Sequence, residues 1–214
     1  MTAAEAVAKD IADAGGDVFL VRGDVTVTAN CTRIVEESAS HFGGLDGLIN
    51  NAGGMVDRVR YADMTDAHFE KVMDLNARSA VMASRAAIPW LKKSGGGFII
   101  NTSSVAARVG GSAGAGLYGS SKGFISTMTH GMARELAGDK IRVNAVSPGF
   151  ILTPFQDRYA APGQKTPEAA AAIPLGRFGV AEDCVGAYLF LASEMLSGYI
   201  IGQVIEVNGG QLMP

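Results

Sequence analysis

Tyr118-Gly-Ser-Ser-Lys122 sets a phenol and an ammonium four residues apart, the spacing that puts both on one face of a helix. Side chains at i and i+4 have about 5–6 Å between their Cβ atoms. A cation that close favours the phenolate, and is expected to draw the tyrosine pKa down from about 10. A phenol tuned in this way passes a proton to or from a hydroxyl or carbonyl oxygen, so Tyr118 is a candidate general acid or base. The same pair arises by chance on helices with an interfacial tyrosine and a solvated lysine. Its meaning depends on what surrounds it.

Three apolar segments must bring other chemistry to that helix. Phe98-Ile-Ile-Asn-Thr-Ser-Ser-Val105 reads as a strand ending in hydroxyl residues. Asn50-Asn-Ala-Gly53 closes another strand over 45–49, and Ile141-Arg-Val-Asn-Ala-Val-Ser-Pro-Gly149 runs into a Pro-Gly turn with Thr153 just beyond. Further strands are expected at 17–22 and 203–207. Helices are expected at 3–14 and 29–42, each stopped by a Gly-Gly pair. Others are expected at 65–91 behind a Thr65 cap, at 117–136 and at 181–192. Strands alternating with helices predict one α/β domain over 1–214, with a parallel sheet covered on both faces. The Ala- and Pro-rich stretch 150–173 interrupts that rhythm and reads as a mobile cap over the site.

Composition narrows the function. A chain of 214 residues with 48% hydrophobic content can bury a sizeable core. Eighteen Lys+Arg against 21 Asp+Glu leave a net charge of −3, which gives no basic field for nucleic acid or an anionic membrane. Cys31 and Cys184 match no metal or redox spacing and read as reduced, buried or half-buried residues. His41, His68 and His130 form no ligand pattern, and no metal is expected. No apolar run approaches the roughly 20 residues of a membrane span, nor does the N-terminus read as a leader. A cytoplasmic protein is the expectation.

Taken together and in this order, the four motifs resemble the short-chain dehydrogenase/reductase family, over about Asp17 to Gly210. The resemblance implies a Rossmann-like doubly wound parallel sheet. It implies hydride transfer between a nicotinamide cofactor, NAD or NADP, and a small-molecule carbonyl or secondary alcohol. Tyr118 would be the acid/base, with Lys122 tuning it and bonding the nicotinamide ribose. Ser104, fourteen residues before Tyr118, would steady the substrate oxygen; Ser103 competes for that role. Asn76 in Met73-Asp-Leu-Asn-Ala77 would organise a proton-relaying water. For the cofactor, the resemblance assigns Asp24 and Val25 to the adenine, and Asn51, Ala52 and Gly53 to the ribose approach. Pro148, Gly149, Ile151 and Thr153 would hold the nicotinamide. The closing segment Gly202-Gln-Val-Ile-Glu-Val-Asn-Gly-Gly210 implies a homo-oligomer, a tetramer or dimer. The family's glycine-rich Thr-Gly-x-x-x-Gly-x-Gly turn does not occur here, so the fold is expected as N-terminally truncated, without its first two strands and first helix. The residues that choose between NAD and NADP belong to that part.

Two motifs compete. Gly114-Ala-Gly-Leu-Tyr-Gly119 spells G-x-G-x-x-G without a strand directly before it. Gly110-Gly-Ser-Ala-Gly114 spells the G-x-S-x-G elbow of serine hydrolases, again far from a strand end. The latter keeps open a cofactor-independent esterase using Ser112 or Ser104 with His130 as base. A third reading is an inactive remnant that associates with a full-length relative. The cap, with Phe155 and Tyr159, shows no clear clamp for a carboxylate or phosphate. Its neighbouring cations Arg158, Lys165 and Arg177 read as solvated.

Overall fold

The computed structural model describes residues 2–213. Two helices come first, α1 (Ala3–Asp13) and α2 (Thr28–Phe42), followed by strand β1 (Gly47–Asn50). Next come α3 (Asp66–Met73), a π-helical turn (Asp74–Arg78) and α4 (Ser79–Lys93), stacked as one continuous rod. After β2 (Gly97–Thr102) follow the short α5 (Ala106–Val109), the long α6 (Gly116–Leu136) and β3 (Ile141–Pro148). The segment beyond β3 holds β4 (Ile151–Leu152), α7 (Pro154–Tyr159) and α8 (Pro167–Ala171). The chain closes with β5 (Gly179–Val180), α9 (Ala181–Ala192), α10 (Glu194–Ser197) and β6 (Val204–Val207).

Four strands form a parallel sheet in the order β1-β2-β3-β6, and β4 pairs with β5 in a separate two-stranded ladder. Strand β2 is flanked on both sides, with Ile99 opposite Leu48 on β1 and Val143 on β3. Because strand side chains alternate, neighbouring residues on one strand serve opposite faces. Ile99 joins Val35, Leu91, Leu136, Ile141 and Val143 in the core beneath α2, α4 and α6. Ile100 joins Val146 and Leu191 on the other face, under α9. Both faces are therefore covered, and every residue of β3 from Ile141 to Ser147 is buried, including Arg142, Asn144 and Ser147.

The 65–91 helix is present but interrupted. The π turn inserts where Asn76 and Ala77 are buried, and it widens the helix so that the Asn76 carboxamide points inward. The stretch 17–22 departs from expectation: it is not a strand. A strand needs a neighbour for its backbone groups, and among the described residues none lies beside it or beside the outer edge of β1. Phe19 and Leu20 stay exposed, with Phe19 stacked on His41 at 4.2 Å. Residues 150–173 form defined helical and strand structure, with α7 and α8 capped by Pro-bearing first turns.

Candidate active site

The carboxyl ends of β1, β2 and β3 open on a cavity of about 950 Å³, the place where parallel α/β sheets bind ligands. Ser103 and Ser104 follow β2, and Pro148 and Gly149 end β3. Tyr118 and Lys122 project from the first turns of α6, and Thr153, Phe155 and Tyr159 face the cavity from the far side. Of the expected residues, Asn51, Gly53, Ser104, Tyr118, Lys122, Pro148, Gly149, Ile151 and Thr153 line this one space. Val25 and Ala52 instead line a smaller cavity of about 140 Å³ between α2 and β1, which Asn51 also reaches. Asp24 lines neither; its Oδ1 accepts from the Thr26 amide at 2.9 Å and the Thr26 hydroxyl at 2.7 Å, in the turn that enters α2.

The two serines part company. The Ser103 hydroxyl turns into α6, donating to the Lys122 carbonyl at 3.1 Å and pairing with the Ser126 hydroxyl at 2.7 Å. Ser104 turns to the cavity, where its Oγ accepts from the Ala106 amide at 3.1 Å and its hydroxyl is near enough to Tyr118 to lower the phenol's pKa.

Electrostatics depart from the expectation for Tyr118. Burial pushes its phenol up to about 12, and the Ser104 hydrogen bond only partly offsets this. Burial also pulls Lys122 down to about 8. The ammonium does not meet the phenol head-on: Nζ lies 5.9 Å from the Tyr118 ring centroid and donates to the Thr102 carbonyl at 2.7 Å. In this arrangement desolvation outweighs attraction. Tyr118 is therefore protonated at neutral pH, the state required of an acid.

Asn76 is fully engaged. Its Nδ2 donates to the carbonyls of Val72 and Gly54, each at 2.8 Å, and its Oδ1 accepts from the Gly54 amide at 3.0 Å. A Cβ added at Gly53 would lie 2.8 Å from that Oδ1 and 3.0 Å from Lys122 Nζ, so a methyl there would displace the Asn76 carboxamide from its place. Gly149 is likewise pinned, since a Cβ there would meet Asn208 Cα at 2.8 Å.

These residues fit the nicotinamide-riboside end of a dinucleotide: a glycine-lined approach, a buried lysine and a backbone-rich wall at the strand ends. For the diphosphate, the described residues include no strand–glycine turn–helix cradle. Gly114–Gly119 does not supply one. Gly116 opens α6 after the α5 loop rather than after a strand, and Gly119 is there for packing, since a Cβ would come 2.9 Å from the Ala106 carbonyl oxygen.

The hydrolase alternative is not assembled. Ser112 lies in the α5–α6 loop, and its Oγ accepts from Arg58 and Gln164 with no base beside it. His130 is exposed twelve residues along α6 from Tyr118, about 18 Å at helical rise. The sequence reading also missed several cavity residues. Thr102 bridges the Tyr188 hydroxyl at 2.7 Å and Asn51 Oδ1 at 3.1 Å, while Arg58 and Gln164 hold the mouth. A hydroxyl at a strand end gave some signal for Thr102; nothing local marked Arg58.

Comparison with known proteins establishes the family. Residues 1–211 match the family described as enoyl-(acyl carrier protein) reductase. A 3alpha-hydroxysteroid dehydrogenase of Mediterraneibacter gnavus is 41% identical over 187 residues, 85% of this chain and 71% of its own. A 3-oxoacyl-[acyl-carrier-protein] reductase of Thermotoga maritima is 37% identical over 187 residues, 87% of this chain and 74% of its own. Among solved structures, NADH-dependent reductase A1-R' complexed with NAD superposes with a TM-score of 0.86 at 40% identity, covering 98% of this chain and 81% of that one. A putative NAD(P) dependent gluconate 5-dehydrogenase from Beutenbergia cavernae with bound NADP gives 0.89 at 32% identity, covering 97% and 82%. The chain belongs to the short-chain dehydrogenase/reductase family, and its sheet is of the Rossmann type.

Proposed function

We propose that this chain is an NAD(P)-dependent oxidoreductase acting on a carbonyl or secondary-alcohol substrate. The observation that carries the reading is the convergence of Ser104, Tyr118 and Lys122 on one cavity at the strand ends. Tyr118 donates its phenolic proton to the carbonyl oxygen during reduction, and takes it back in the reverse direction. The Ser104 hydroxyl orients that oxygen toward Tyr118. Lys122 supplies positive charge under the site and, with Asn51, Gly53, Pro148, Gly149, Ile151 and Thr153, holds the nicotinamide riboside. The bound nicotinamide supplies or accepts the hydride. Asn76 acts as a positioning residue by fixing the Gly54 backbone, next to Gly53. Phe155 stands 5.5 Å from the Tyr118 ring and 4.9 Å from Tyr159, so 150–173 contributes the substrate wall. The NADH- and NADP-named neighbours support either cofactor equally.

Self-association is part of the reading. Leu189 on α9 and Met195 and Leu196 on α10 are exposed apolar side chains on two adjoining helices, suited to a second copy. Among the described residues no helix is long and apolar enough to cross a membrane.

Calorimetric titration with NADH and NADPH, followed by ketone-dependent oxidation of whichever binds, tests the function. Saturable binding and turnover that disappears in Tyr118→Phe is the expected result. A folded chain that binds neither dinucleotide, or a Tyr118→Phe variant as active as the parent, would overturn it.

A further inference from the structure

The cation at the cavity mouth comes from outside the cap, whose neighbouring cations read as solvated from sequence. Arg158 is exposed, Lys165 pairs with Asp157 at 2.6 Å, and Arg177 pairs with Asp183 at 2.7 Å. Arg58 arrives instead from the loop after β1, just beyond Val56, whose φ of 67° is unusual for a β-branched residue. Its guanidinium joins three segments. Nε donates to the Tyr159 carbonyl at 2.7 Å, Nη1 to Ser112 Oγ at 3.0 Å and the Ala113 carbonyl at 2.8 Å, and Nη2 to Gln164 Oε1 at 3.0 Å.

A count of donors and acceptors gives this corner its character. Guanidinium offers five N–H donors, and four are engaged, all by neutral oxygens. Ser112 Oγ already accepts from Arg58 and from Gln164 Nε2 at 3.3 Å, while its own O–H has no protein acceptor among the described residues. Gln164 Oε1 already accepts from Arg58 and from the Ala161 amide at 2.7 Å, and one N–H of its amide remains. What remains is three donors and a positive charge. No aspartate or glutamate lines the cavity, and Arg58 belongs to none of the ion pairs among the described residues. Partial burial lowers its pKa, as expected of a cation set among neutral partners.

We propose that Arg58, with Ser112 and Gln164, is the specificity-determining corner of the cavity and recognises a carboxylate on the substrate, at the end remote from the reacting carbonyl. Bonds to a carboxylate from the guanidinium, the Ser112 hydroxyl and the Gln164 amide use all three free donors, and the carboxylate supplies the countercharge. Phe155 lies between Tyr118 and Tyr159, so several carbons separate the two ends of such a substrate. The inference rests on the oxidoreductase reading only for the word substrate.

The test is calorimetric binding to the full chain, with NAD present so that no ketone is turned over. The probes are 4-oxopentanoate, 5-oxohexanoate and 6-oxoheptanoate, each beside its primary amide. At least one acid is expected to bind about tenfold or more tightly than its amide. Arg58→Gln should abolish that preference, and Arg58→Lys should keep part of it. Because Arg58 also ties segments together, Ser112→Ala at the exposed rim serves as a second variant, and should cut the preference about threefold. No acid favoured over its amide, a preference that survives Arg58→Gln, or one untouched by Ser112→Ala would overturn the proposal. If the amides are reduced in a Tyr118-dependent way and the acids are not preferred, only this inference falls. If the acids bind through Arg58 but neither dinucleotide drives reduction, the oxidoreductase reading falls instead.

Discussion

Asn76 holds both backbone groups of Gly54 with a single carboxamide, accepting from its N–H at 3.0 Å and donating to its C=O at 2.8 Å. The π turn in the helix rod and the loop after β1 are thereby locked together beneath Lys122. Asn76→Ala leaves two buried backbone groups unpaired and is expected to cost about 1–3 kcal/mol for each. Gly53→Ala attacks the same joint from above, because its methyl would overlap Asn76 Oδ1. Both variants should melt earlier in denaturant titrations and lose at least about tenfold in ketone reduction. A Gly53→Ala variant of parental stability and rate would show that the joint is not needed.

Ser103 and Ser104 are expected to separate cleanly. Ser104→Ala removes the cavity hydroxyl and should lower kcat by about 10²-fold with little change in melting temperature. Ser103→Ala removes the contacts to Ser126 and the Lys122 carbonyl inside α6, and should lower melting temperature more than kcat. The reverse pattern would exchange their roles.

Buried Lys122 predicts an unusual pH dependence of stability. Its folded pKa, about 8, is below its ordinary value of 10.5, so the unfolded chain binds more protons between those two values. Stability should therefore rise with pH across that window. Tyr118 acts oppositely and higher, because its folded pKa of about 12 exceeds its ordinary 10.0, so its contribution is lost as pH climbs from 10 to 12. Cys31 and Cys184 are also shifted, both raised by burial, so the informative quantity is a difference. Denaturant midpoints of the parent minus those of Lys122→Met should increase from pH 7.5 to 9.5. A flat difference would mean that Lys122 is not desolvated.

Gly119 offers a check on the G-x-G-x-x-G spelling. A Cβ there would lie 2.9 Å from the Ala106 carbonyl oxygen and from Gly110 C, both backbone atoms that cannot swing aside. Gly119→Ala should destabilise the fold by about 1–3 kcal/mol through overpacking of α5 on α6. Dinucleotide affinity, measured by calorimetry on the folded fraction, should change less than stability. A selective loss of affinity would restore the phosphate-loop reading.

Much of this protein was legible in the order of its residues. Apolar runs closed by Asn-Ala-Gly, Ser-Ser and Pro-Gly marked the strand ends that do meet at one cavity, and the Tyr118–Lys122 spacing put both residues on the wall of that cavity. Periodicity within a segment reports which face is buried, and strand ends of a parallel sheet must lie side by side. Local pattern therefore reached far.

Three properties were decided by tertiary packing alone. The 17–22 segment has strand-like residues but no partner strand among the described residues, and a strand exists only as a pair. Proximity of Lys122 predicted an acidic Tyr118, yet burial of both groups, with the lysine turned to the Thr102 carbonyl, leaves the phenol protonated. Arg58 meets Tyr159 across 101 positions of sequence, with Ser112 between them in the chain. Sequence determined which backbone conformations and which chemical groups were present. Only the folded chain determined which groups lost their water and which distant ones came within bonding distance, because desolvation and contact are properties of three-dimensional neighbours.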